Sequence, residues 1–95
     1  RTIMVPISTL DRMAEKYGIP DFVKIDVEGN ESKVLEGAKQ VLKAGKTFFL
    51  IELHNQEQVQ KVRKLLNIAG YDNFYYPDGE KIMGNALPRY MLVKK

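Results

Sequence analysis

Apolar and polar positions along this chain switch repeatedly between the two-residue period of a strand and the period of a helix. Ile3 to Ile7 is a short extended segment interrupted by Pro6, which suits an edge strand or a loop. Ser8-Thr9-Leu10-Asp11 has the Ser-x-x-Asp spacing of a helix start, and Leu10, Met13, Ala14 and Tyr17 then recur at helical spacing. Gly18 closes that helix and Pro20 prevents its return. Phe22–Val27 reads as a strand, apolar and β-branched except at Lys24 and Asp26. A helix capped near Asn30 follows, with Val34, Leu35, Ala38, Val41 and Leu42 as its apolar face. Gly37 is a weak spot within it, and Gly45 is its natural stop.

Thr47–Leu53 is a nearly continuous apolar run, the pattern of a strand covered on both faces. Asn55 with Gln58 three residues on predicts the next helix start, and Val59, Val62, Leu66 and Ala69 form its buried stripe up to Gly70. Asn73–Tyr76 reads as a strand, Pro77-Asp78-Gly79 as a turn, Lys81–Met83 as a short strand and Arg89–Val93 as a last strand. Gly84–Pro88 is irregular. Strand–helix alternation argues for parallel strands joined by crossover helices. The helix-free tail argues for an antiparallel hairpin at one sheet edge. The fold class is therefore α/β.

Bulk composition changes this picture little. With 95 residues, 44% hydrophobic and 28% charged, the chain amounts to one domain or part of one. The net charge of +3 is spread along helices and the C-terminus, not gathered into the block that a nucleic-acid partner selects. The absence of cysteine excludes disulfides and thiolate catalysis. No apolar run approaches the ~20 residues of a membrane span and no signal peptide is visible, so a cytoplasmic location is expected.

Candidate chemistry gathers at two strand ends. Asp26 and Glu28 close the first internal strand before the turn at Gly29, and Glu52, His54 and Asn55 close the second. Ligands of open α/β sheets bind at the carboxyl ends of strands. Residues two apart on a strand share a face, so Glu52 and His54 point the same way if the strand persists. Parallel neighbours would bring Asp26, Glu28, Glu52 and His54 to one rim. These oxygen and imidazole groups would also suit a divalent cation, although their spacing matches no dedicated metal motif. Lys24 stands out mid-strand on the face of Asp26, where its ammonium either snorkels to a rim or pairs with an acid. The tyrosines Tyr71, Tyr75, Tyr76 and Tyr90 either line an acceptor pocket or fill the edge of the core.

Several segments together resemble the FkbM-type S-adenosylmethionine-dependent methyltransferases. They are Val5-Pro6-x-x-Thr9-Leu10-Asp11, the run Pro20-Asp21-Phe22-x-Lys24-Ile25-Asp26-Val27-Glu28-Gly29-x-Glu31, Val34-Leu35-x-Gly37-Ala38, and Ile51-Glu52-x-His54. The resemblance implies a Rossmann-like class I methyltransferase sheet with one antiparallel strand. Phe22–Val27 would be its fourth strand, Thr47–Leu53 its fifth, and the tail its sixth and seventh. It implies S-adenosylmethionine as cofactor, with Asp26, Glu28 and Gly29 on the cofactor side, and a small-molecule or glycan acceptor. Asp26, His54 and Glu52 are the acid–base candidates for transfer to a hydroxyl. No Gly-x-Gly-x-Gly occurs in the chain. Residues 1–95 are thus expected to form a single partial domain, the C-terminal half of such a fold, lacking the glycine-rich cofactor loop and inactive alone. The strand at Phe22 would then be an exposed edge open to a second copy. The alternative is a non-enzymatic α/β interaction module whose strand-end acids are structural.

Overall fold

The computed structural model describes residues 9–84 and 87–95. The expected extended segment Ile3–Ile7, Ser8, and part of the irregular stretch before Pro88 lie outside the described residues. The elements run α1 (Leu10–Tyr17), β1 (Phe22–Ile25), α2 (Glu31–Glu36), α3 (Lys39–Ala44), β2 (Phe48–Glu52), α4 (Gln56–Ile68), β3 (Asn73–Tyr75) and β4 (Tyr90–Lys94). The sheet order is β1-β2-β4-β3. β1 and β2 are parallel, with Phe22 opposite Phe48 and Ile25 opposite Ile51. β4 is antiparallel to both β2 and β3. The tail forms an antiparallel pair at the sheet edge, as its pattern predicts, and β4, the later strand, takes the inner place. Lys81 makes a single bridge to Tyr75 and founds no strand of its own.

One face of this sheet carries the core. Val23, Ile25, Phe49, Ile51, Met91 and Val93 alternate inward and pack with Leu35, Val41, Val62 and Leu66 from the helices. The opposite face behaves differently. Phe22, Phe48 and Tyr90 are each about two-fifths exposed, and Lys24 is exposed beside them. The apolar run at β2 therefore reads as a strand covered on both faces, yet among the described residues only one face is covered. Lys24 is accounted for by the same fact, since its face meets solvent. Tyr71 is fully buried, with its ring edge-on to Phe49 at 5.6 Å and its hydroxyl donating to the Thr47 carbonyl at 2.9 Å. Of the four late tyrosines it alone fills the core, since Tyr75 is half-buried and Tyr76 and Tyr90 are exposed. Tyr17, expected on the buried stripe of α1, is 74% exposed and stacks beneath Lys16.

The helix expected to run from Asn30 to Gly45 is two helices. The backbone breaks at Gly37-Ala38, and the cause is a docking contact. A Cβ on Gly37 would stand 2.9 Å from Thr9 Cγ2, and the Gly37 carbonyl accepts the Asp11 N–H at 3.0 Å. The start of α1 thus presses against the break. Asp11 then supplies what α3 lacks, because the N-cap of α3 is Ala38, which has no polar side chain. The Asp11 carboxylate accepts from Gln40 N–H at 3.0 Å and from Val41 N–H at 3.1 Å, 29 and 30 residues along the chain. The N-cap of α1 itself is Thr9, which accepts from Arg12 N–H, so the Ser-x-x-Asp spacing marks the right helix with the wrong cap.

Two stability outcomes follow from this junction. Asp11→Ala removes a cap and should lower unfolding stability by about 1 kcal/mol, read as a lower urea midpoint at unchanged slope. Gly37→Ala, which usually stabilises a helix end, should here lower the midpoint, because the new methyl meets Thr9. A raised midpoint in Gly37→Ala would refute the contact.

Candidate active site

The parallel register of β1 and β2 ends with Ile25 beside Ile51. The next residues along each strand, Asp26 and Glu52, therefore leave the sheet side by side. Leu53 N–H donates to the Arg89 carbonyl at 2.7 Å, which extends the β2–β4 ladder past Glu52 and delivers His54 on the same side. His54 Nε2 stands 3.7 Å from Asp26 Oδ1 and 3.6 Å from Glu52 Oε2. Three of the four rim residues expected from the sequence come together. Glu28 does not join them, being exposed in the turn with a left-handed φ of 31°. Gly29 follows at φ 88° and donates its N–H to Glu31 Oε2 at 2.7 Å.

Two site residues escape a reading of spacing alone. The first is Glu31, the opening residue of α2, which looks like a helix-dipole acid and is instead fully buried. Its Oε1 accepts the His54 N–H at 3.4 Å, and its Oε2 lies 3.3 Å from His54 Nδ1. The second is Arg89, whose Nε donates to Glu52 Oε2 at 2.8 Å. Its signal in the sequence is only that of a residue opening the last strand. Asn55 does cap α4, accepting from Gln58 N–H at 2.9 Å. Gln58 does not close a capping box. Its Oε1 crosses to accept the Ser32 N–H at 2.9 Å and so serves the start of α2, where Asn30 makes no side-chain cap.

The two carboxyls at the rim are pushed apart. The contact with Glu52, with burial adding to it, raises Asp26 above the ordinary carboxylate range. Glu52 is itself lifted by burial, but hydrogen bonds from Arg89, Asp26 and Tyr90 outweigh that and hold it below its usual value. Asp26 is thus the weaker acid of the pair and Glu52 the stronger. The Glu52 side chain is 7% exposed and that of Asp26 44%, so the weaker acid is the one that solvent reaches. Asp26, Glu52 and His54 lie close enough to hold one cation between them. A cation there would have to displace the Arg89 guanidinium, which already neutralises the Glu52 oxygen nearest the imidazole.

Beside His54 opens a pocket of about 340 Å³, lined by His54, Asn55, Gln56, Val59, Pro88 and Arg89 among others. A larger groove along the outer side of α4 includes Gln60, Lys64 and Asn67 and contains none of the rim acids. Among the described residues no helix is long and apolar enough to cross a membrane.

Residues 1–72 match the Methyltransferase FkbM domain. That match spans most of the chain and includes β1, β2, the rim and Glu31, so the chain belongs to the FkbM methyltransferase family. Among curated proteins and among solved structures, none matches the chain.

The Asp26–Glu52 pair gives a direct titration outcome. A group whose folded pKa is raised favours folding fully below its unfolded pKa, and that contribution is lost as pH rises through the folded value. Carbonyl ¹³C NMR should therefore show Asp26 titrating above the ordinary carboxylate range, with its share of stability fading as it ionises. In Glu52→Gln the Asp26 midpoint should move back down. A midpoint unmoved by that substitution would show that Glu52 is not the cause.

Proposed function

We propose that the whole protein is a cytoplasmic S-adenosylmethionine-dependent O-methyltransferase whose acceptor is a small molecule or glycan bearing a hydroxyl. The observation that carries this reading is the convergence of His54 Nε2 with Asp26 and Glu52 at the carboxyl end of the parallel pair, beside an open pocket, in a chain of the FkbM methyltransferase family. The rim suits the cofactor chemically, because its acceptor groups and exposed Asp26 complement a cationic sulfonium. The turn at Glu28 and Gly29 lies next to it, and a Cβ at Gly29 would meet only the Asn55 side chain, 3.9 Å away. Asp26, Glu28 and Gly29 are the residues we assign to the cofactor side, with further contacts supplied from outside these 95 residues.

When bound, S-adenosylmethionine supplies an electrophilic methyl on a positively charged sulfur. The residues described here handle the acceptor and its proton. The pocket lined by Asn55, Gln56 and Arg89 orients the hydroxyl toward His54. His54 Nε2 would take the proton that the acceptor hydroxyl gives up on methylation. The imidazolium so formed lies among the carboxyls of Asp26, Glu52 and Glu31, which stabilise its charge. In residues 1–95 taken alone, the outward edge of β1 is where a second copy would add a strand.

Replacing Asp26 with Asn and His54 with Gln together in the whole protein should abolish methyl transfer, by at least ~100-fold in kcat, while circular dichroism shows the fold retained. Undiminished turnover would end the assignment. Transfer should also survive chelation, since Arg89 already balances Glu52. Loss of activity in EDTA that added Mg²⁺ restores would instead place a metal at the rim.

A further inference from the structure

We infer that Glu31 is the positioning residue of this site: its buried carboxyl holds the proton of neutral His54 on Nδ1 and leaves Nε2 bare at the rim. The inference rests on the acid–base role proposed for His54 but is read from different atoms. His54 has two unlike nitrogens. Nδ1 is buried, reaches no solvent and lacks a full hydrogen bond, and Glu31 Oε2 stands 3.3 Å from it. Nε2 lies on the rim, 3.7 Å from Asp26 Oδ1 and 3.6 Å from Glu52 Oε2, and the ring lines the pocket.

A bare lone pair on Nδ1 would confront a carboxylate oxygen in a place where no water can intervene. Two facing acceptors repel, and an unsatisfied buried nitrogen costs free energy. A proton on Nδ1 turns the same contact into an attraction. In a neutral imidazole that choice leaves Nε2 as the acceptor. The contact is longer than a good hydrogen bond, as catalytic contacts often are before a ligand closes the site.

Glu31 is also held where it can do this. Its Oε2 accepts the Gly29 N–H at 2.7 Å and its Oε1 the His54 N–H at 3.4 Å. Ser32 beside it is anchored by Gln58 of α4. The carboxyl therefore ties the turn after β1 to the loop after β2, and aims both the backbone and the ring of His54. A residue needed only for the turn would serve Gly29 alone.

His54 is the single histidine of the sequence, so its imidazole signals are unambiguous. The test is ¹⁵N–¹H multiple-bond NMR on the whole protein at a pH where the ring is neutral, beside methyl-transfer kinetics. The wild type should carry its proton on Nδ1. In Glu31→Met no acceptor faces Nδ1, so the Nδ1–H form should lose its advantage and the Nε2–H tautomer should rise. kcat should then fall by roughly 100-fold, with the acceptor KM within about twofold. A wild-type spectrum with the proton on Nε2 overturns the inference by itself, whether or not the variant folds. An unchanged tautomer in a folded Glu31→Met also overturns it. If the tautomer switches as expected but His54→Gln retains full turnover, Glu31 positions the ring and the acid–base reading of His54 is what fails.

Discussion

Everything at the carboxyl end of this sheet depends on one buried carboxyl group. Glu31 lies under the turn that leaves β1 and against the loop that leaves β2, and it touches both through backbone N–H groups. Burying such a group is costly unless donors meet it. Here the donors are supplied by the two segments whose relative position matters for the site. Gly29 adopts a left-handed backbone that brings its N–H to Glu31, following a strained Glu28. The rim is therefore not a chance gathering of strand-end acids. Its geometry is set from beneath by a group that solvent does not reach.

The same economy appears at the helix ends. α2 and α3 are six residues each, too short to be stable by propensity. Neither has a side-chain cap from its own N-cap residue. Gln58 of α4 reaches the start of α2, and Asp11 of α1 reaches the start of α3. Each short helix is thus completed by a longer one, and the helical layer is linked by hydrogen bonds as well as by apolar packing. The break at Gly37-Ala38 gives α1 its seat on this layer, and it frees α2 to begin where Glu31 must lie.

At the rim, electrostatics sort three similar groups into different roles. Glu52 is mostly buried but ionised, because Arg89 donates to it. Asp26 is exposed yet holds its proton more tightly, because Glu52 is its neighbour. His54 sits between them on one side and Glu31 on the other. A proton arriving on this ring enters a field of carboxyls, with Glu31 facing Nδ1 and Asp26 and Glu52 facing Nε2.

Much of this was legible from residue order alone. The apolar runs at Phe22 and Phe48, the helix between them and the helix-free tail already determined an α/β sheet with a parallel pair and an antiparallel end. Parity along the second strand put Glu52 and His54 on one side, and the match of strand ends placed Asp26 with them. The roles of Glu31, Asp11, Gln58 and Arg89 were decided only by the tertiary structure. Local spacing assigns an acid or amide near a helix start to that helix, whereas all four of these side chains bond to groups more than twenty residues away, Arg89 to Glu52 of the neighbouring strand. The split at Gly37 was hidden for the same reason, since helical periodicity continues through it and the steric contact with Thr9 exists only once α1 has docked. Periodicity reports which face of an element is buried; which distant partner satisfies a polar group depends on how the faces come together.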